Sequence, residues 1–277
     1  MGIQARPASF GYARSAIRPN SPYRVNWQSP QARGLVSWWP ILPIAAIGVN
    51  TAIVTQPNLV PGPADIASPA VADAVGFAPD SLLHTVALLT DTDVSMIGPV
   101  ADTLISASLG AMSCWIKILG DGLSSDVTFG LSQIIGDELD GGYFGLRYGN
   151  RASAGQKLHA YNWDGDDDFV AATITQNEWH HILWMHAGGN LYLYVDGRGA
   201  SAVSGNTSFV SGVFTIGSTV STSANAKIAD VRIYNKGLDP ATIYQMWDPA
   251  TRWDLYSKPS LIPWIEPPAP RFILGTH

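Results

Sequence analysis

The chain has 277 residues, enough to bury a sizeable core without covalent staples, and its single cysteine, Cys114, excludes a disulfide framework and a cysteine-based metal centre. Charged residues make up 14% of it, against roughly 25% in an average soluble domain, while the apolar share is 46% and includes ten Trp and ten Tyr. So little charge cannot solvate a whole surface, which points to contact with other subunits or to a cover of Ser, Thr, Asn and Gly.

The net charge of −6 hides a split: residues 1 to 33 carry Arg6, Arg14, Arg18, Arg24 and Arg33 and no acid, so the remainder carries −6 − 5 = −11. Arginines spaced without a helical period suit an acidic protein surface better than a nucleic-acid groove, so no nucleic-acid partner is expected. Four prolines in this stretch make it an extended arm without a core of its own, which only contacts could order. The N-terminus lacks the apolar core of a signal peptide. The run from Trp38 to Val49 is too short for a membrane span and is broken by Pro40 and Pro43. The expectation is a chain made in the cytoplasm, not exported by the general route, with no membrane partner.

Gly34 to Trp39 reads as a first strand, ended by Pro40. From Ile41 to Pro79 the pattern weakens into short strands and loops, and Thr85–Leu89 and Asp93–Ile97 read as edge strands. Ala111 to Leu119 is a continuous apolar strand with Cys114 buried in it and Lys117 at its wet end. Phe129–Ile135, Gly142–Tyr148 and Lys157–Trp163 follow at the rhythm of a sandwich. Trp179–His186 and Leu191–Val195 form a hairpin around Gly188-Gly189, with Asp196-Gly197 as a second tight turn. Ser208–Phe209, Val213–Gly217 and Lys227–Tyr234 complete the series. In the last of these, Ala229, Val231 and Ile233 should face the core while Asp230, Arg232 and Tyr234 face water. Asp239-Pro240 starts a short helix to Trp247 with Ile243, Met246 and Trp247 as its buried stripe, stopped by Asp248-Pro249. The tail beyond Pro259 is a proline-rich arm around Trp264. Three parts result: an arm over residues 1–33, one domain over 34–258 and a second arm over 259–277.

Trp179-His180-His181 leading into LYLYVDG, then Phe214 to Gly217, then Ile228 to Leu238, together with Ser113 to Lys117, resembles a laminin-G-like domain of the concanavalin A-like lectin/glucanase superfamily. The resemblance implies an all-β fold, a two-sheet antiparallel jelly-roll sandwich with one short C-terminal helix and extended terminal arms. Where the family often carries an acidic pair in its last strand, this chain has Ala229 and Asp230.

His180 and His181 point to opposite faces of a strand and cannot chelate one ion, so they and His186 read as structural. Tyr161, Asn162, Trp163 and Asp164 supply the aromatic and polar types that bind sugars. Asp164, Asp166, Asp167 and Asp168 form an oxygen-rich run suited to Ca²⁺, although the helix-loop-helix calcium pattern is excluded by Phe169 and Thr175 at its sixth and twelfth positions. No other cofactor is expected. The alternating acids of related glucanases have only Glu138 and Asp140 as counterparts, so no enzyme is expected. The expected function is a structural and adhesive protein of a bacteriophage virion, a capsid decoration protein on the particle surface. It would dock in many copies, as a homo-oligomer, to other capsid subunits through Arg6, Arg14, Arg18, Arg24, Trp27, Arg33 and Trp264. The alternative is a soluble lectin-like module that binds glycans.

Overall fold

Runs of alternating or continuous apolar residues set the architecture, and the computed structural model describes it over residues 24–41, 55–56, 58–61, 66–67, 76–79, 86–89, 95–100, 110–120, 131–137, 143–150, 156–163, 169–204, 213–217 and 225–257. In chain order the strands are β1 (Leu35–Trp39), β2 (Thr55–Gln56), β3 (Ile66–Ala67), β4 (Gly76–Pro79), β5 (Val86–Leu89), β6 (Ser95–Val100), β7 (Gly110–Ile118) and β8 (Leu131–Asp137). They continue with β9 (Tyr143–Asn150), β10 (Gln156–Trp163), β11 (Phe169–Ala172), β12 (His180–Ala187), β13 (Asn190–Val195), β14 (Arg198–Ser204), β15 (Val213–Gly217) and β16 (Ala226–Tyr234), and the helix α1 (Pro240–Trp247) closes the order.

One sheet runs β14-β13-β12-β7-β16-β5-β4, with β1 added to β16, and the other runs β11-β10-β9-β8-β15-β6-β3-β2. This is the expected two-sheet antiparallel sandwich with one short helix. Thr85–Leu89 and Asp93–Ile97 were expected at edges, yet β5 lies between β16 and β4, and β6 between β15 and β3. β11 and β14 have no counterpart in the sequence reading, because FVAA is short and RGASAVS is built of small and polar residues. Ser208–Phe209 lies outside the described residues.

The first core fills the space between the sheets. Met112, Cys114 and Ile116 of β7, Leu146 of β9, Leu158 of β10, Ile182 and Trp184 of β12, and Phe214 and Ile216 of β15 all belong to it. Trp39 stacks on Phe214 across the gap at 5.5 Å between ring centres. Burial raises the Cys114 thiol well above its ordinary value, so it is an inert core group. The hairpin is as expected. Gly188 and Gly189 make a two-residue turn with positive φ at both positions, and Asp196 and Gly197 make a second, as the twist of paired strands requires.

The last strand departs from simple alternation. Ala229 pairs with Trp115 and Arg232 with Ser113, so Asp230 and Val231 together oppose Cys114. This is a β-bulge with Asp230 in the left-handed region at φ 55°. The extra residue shifts the pattern: Ile228, Val231 and Ile233 face the first core, while Ala229 joins Tyr234 on the other side. That other side is not wet. Asp230, Arg232 and Tyr234 are 2%, 1% and 0% exposed.

A second core covers them. Trp38, Trp115, Leu183, Met185 and Tyr234 of the first sheet pack against Ile243 and Met246 of α1, Leu238, and Trp253, Leu255 and Tyr256 beyond the helix. Asp239 caps α1 by accepting from the Thr242 N–H at 2.9 Å. Residues 24–33, the last part of the expected arm, complete this layer. Val25 bridges Tyr256, the Asn26 N–H donates to the Leu255 carbonyl at 2.7 Å, and the Ser257 N–H donates to the Arg24 carbonyl at 2.8 Å. The 3-10 turn Pro30–Ala32, capped by Ser29, places Gln31 and Ala32 inside.

At the centre of the second core the Asp230 carboxylate accepts from Trp38 Nε1 at 2.7 Å, from the Tyr256 hydroxyl at 3.0 Å and from Arg232 Nη2 at 2.6 Å. Arg232 Nη1 donates to Gln31 Oε1 at 2.8 Å, and Gln31 Nε2 donates to the carbonyls of Thr251 and Gln245. Burial opposes the charge on Arg232, but Asp230, with Tyr234 and Tyr256 beside it, holds the guanidinium above its ordinary value. Asp230→Asn keeps a residue that tolerates positive φ yet strands the Arg232 charge, so urea unfolding should show a loss of about 3–5 kcal/mol. A loss below about 1 kcal/mol would mean that the pair is hydrated in solution.

Candidate functional site

Tyr161, Asn162 and Trp163 close β10, where their backbones pair with Gly145, Phe144 and Tyr143 of β9, and Tyr161 also with Phe169 of β11. Asp164, Asp166, Asp167 and Asp168 lie outside the described residues, between the end of β10 and the start of β11. Arg6, Arg14, Arg18, Trp264, Glu138 and Asp140 lie outside them as well. Arg24, Trp27 and Arg33 are described and exposed, with Trp27 at 58%. Among the described residues no group of three His, Cys, Asp or Glu side chains could hold a metal ion.

The histidines sit where strand parity puts them. His181 belongs to the face of the second core, 5.4 Å from the Trp115 ring, and His186 is fully buried. His180 instead meets the second tight turn. Its Nδ1 lies 2.8 Å from Asp196 Oδ2 and its Nε2 3.1 Å from the Thr175 carbonyl, while Asp196 Oδ1 accepts from the His181 N–H at 2.9 Å. The Asp196 hydrogen bond, working against burial, raises the His180 pKa, so the charged ring can donate from both nitrogens. Sequence reasoning missed this pair because Asp196 was assigned only to turn geometry. An Asp facing a His across a tight hairpin was the available signal.

Burial, aided by the nearby Arg232 charge, lowers the His181 pKa to about 3. The two histidines therefore act in opposite pH windows. The contribution of His180 is complete below its ordinary value and is lost as pH rises through its raised one. His181 is protonated in the unfolded chain below its ordinary 6.5 but stays neutral in the folded one down to about 3, so stability falls as pH drops through that window. Replacing His181 with Phe should flatten the fall in thermal midpoint on the acid side of neutrality. An unchanged slope would assign that fall to other groups.

Asp230 is closed to solvent with donors from Trp38, Tyr256 and Arg232 already placed on it. A general acid or base must reach its substrate. Asp230 instead anchors the layer above the sheet. Two large apolar side chains stand out among the described residues as exposed, Trp27 and Tyr244, the latter at 47% on the outer side of α1.

The fold is that of a lectin-like sandwich of two antiparallel sheets. The chain belongs to the concanavalin A-like lectin/glucanases superfamily, whose laminin-G-type family model matches residues 98–244. A comparison with curated proteins found no match. Among solved structures, Trypanosoma rangeli sialidase is similar with a TM-score of 0.53 at 14% identity, over 78% of this chain and 32% of that one. The chain thus spans about a third of that enzyme's length. Domain 4 of an extracellular arabinanase from Geobacillus stearothermophilus, solved in complex with arabinotriose, is similar with a TM-score of 0.50 at 14% identity, over 77% of this chain and 98% of that domain. The binding domain of botulinum neurotoxin serotype D gives a TM-score of 0.53 at 14% identity, over 79% of this chain and 52% of that one. At such identities the likeness carries the fold.

Proposed function

We infer that the chain is a non-catalytic carbohydrate-recognition module. The observation that best supports this is the lectin-like two-sheet sandwich itself, in which the acid of the last strand, Asp230, is buried and already bonded by Trp38 and Arg232. The arabinanase domain solved with arabinotriose supports the ligand class, because 98% of its length is matched by this chain. The proposed sugar contacts are Tyr161, Asn162, Trp163 and Asp164 at the end of β10. Ca²⁺ would be held by Asp164, Asp166, Asp167 and Asp168, which lie between β10 and β11 in the sequence. A glycan array probed with the full chain, with and without Ca²⁺, should give binding without hydrolysis. Turnover of a glucan that Glu138→Ala and Asp140→Ala abolish would replace the reading with an enzyme.

A second reading is favoured by Trp27. A Trp at 58% exposure, between exposed Arg24 and Arg33 on a segment fixed to the body, supports docking to another protein. In this reading the module is displayed on a larger particle, a bacteriophage capsid, with the terminal residues completing the contact. The chain should then co-purify with particles, and Trp27→Ala should lower its copy number several-fold. Purified particles without the chain would remove the virion reading and leave the lectin reading intact.

A further inference from the structure

We propose that the ridge formed by Tyr192, Tyr194, Tyr244 and Trp247 is a second sugar surface, separate from residues 161–164, that takes a short linear stretch of a neutral glycan. The proposal rests on the carbohydrate reading above and gives it a place that the motifs did not name.

Two glycines, two residues apart, lie against the two ring pairs. Tyr192 and Tyr194 are on the same face of β13, with ring centres 6.5 Å apart and planes 30° from parallel. The Tyr194 ring lies over Gly199, its cross-strand partner, where an added Cβ would stand 3.4 Å from the ring. Two residues earlier, Gly197 lies against α1, and a Cβ there would meet Trp247 and Tyr244 at 3.3 Å. Tyr244 and Trp247 meet edge to face at 5.4 Å. The absence of side chains at 197 and 199 lets the Tyr194 ring lie on one glycine and α1 close on the other, two residues away.

The rings are held from below. Tyr192, Tyr194 and Trp247 pack on the second core, and the turn carrying Gly197 is tied down by Asp196 to His180 and to the His181 N–H. Their outer faces stay partly open, and Tyr244 is 47% exposed. Flat, pre-ordered aromatic faces with little side-chain entropy left to lose are what the apolar face of a sugar ring stacks on.

Size and charge choose the ligand. An aromatic side chain covers roughly 150–250 Å², so four rings mostly under half exposed offer on the order of 300 Å². A stable protein interface needs roughly 800 Å² from each partner. A short oligosaccharide fits the smaller area. Asp196 stands beside Gly197 and Asp248 follows Trp247, against the single exposed cation Arg198 between the glycines, so the ridge does not favour nucleic acid or a sulfated polymer.

The test is calorimetric titration of the full chain with cellohexaose, xylohexaose and arabinotriose, chosen as neutral linear probes. At least one should bind. Tyr244→Ala, at a position outside both cores, should then weaken it about five- to tenfold, while Tyr244→Phe keeps the affinity, because the ring and not the hydroxyl does the stacking. Unchanged affinity in Tyr244→Ala, with binding lost on Trp163→Ala, would overturn the ridge and keep the carbohydrate reading. No binding of any probe by the unaltered chain, in titration and on the array, would overturn both. Self-association abolished by Tyr244→Ala would put a second copy on the ridge and also overturn it.

Discussion

The Asp230–Arg232 pair is the interaction on which the outer half of this molecule depends. A sheet that packs a second sheet on one side normally leaves its other side to water or to a loose cover. Here a carboxylate and a guanidinium, both closed to solvent, stand on that other side and must be satisfied. The groups that bond them come from four places in the chain: Trp38 on β1, Gln31 in the turn before it, Tyr256 beyond α1, and the Arg252 carbonyl. Each is far from the pair in sequence except through the fold. A buried charge pair thus specifies where the segment before β1 and the segment after α1 come to rest, more than it adds net stability.

The bulge makes this arrangement possible. Inserting Asp230 at positive φ lets Val231 and Ile233 continue the inner core while Arg232 and Tyr234 rise to the outer one. Period-two counting places Ala229 with Val231 because it has no term for an extra residue, and a single sequence carries only a weak signal for a bulge. Asp at that position, a residue that tolerates the left-handed region, was the trace of it. The hairpin was legible for the opposite reason, since Gly-Gly and Asp-Gly turns bind sequence to conformation directly. The helix was legible through its cap, its Pro at the first turn and its Ile243 and Met246 stripe, although Trp247, expected in that stripe, is only half-buried.

The proposed site residues were harder to read than the fold, and the physical cause is that sugar recognition uses the same aromatic side chains as a core. Tyr192 and Tyr194 alternate with Leu191 and Leu193, which are buried, and nothing in that pattern alone tells a covered face from one half open. The answer depends on where α1 lands, which in turn depends on Gly197 and on the second core. The spacing of Tyr244 and Trp247 on α1 could have marked an aromatic edge beside the buried stripe. Trp27 has a similar history. The composition of the first 33 residues announces an arm, but the anchoring of residues 24–33 by Gln31 and by backbone bonds of Asn26 and Arg24 with Leu255 and Ser257 could be read only from long-range structure.

The fixed layer over the first sheet is the central physical claim, and native-state hydrogen exchange on the full chain tests it most directly. The amides of Asn26 and Ser257, which bond across the two terminal segments, and of Thr242 and Ile243 in α1 should exchange as one slow group together with Arg232 of β16. Their exchange at the rate of an unprotected chain, while β7, β12 and β16 remain protected, would show that the layer detaches independently and that Asp230 does not hold it.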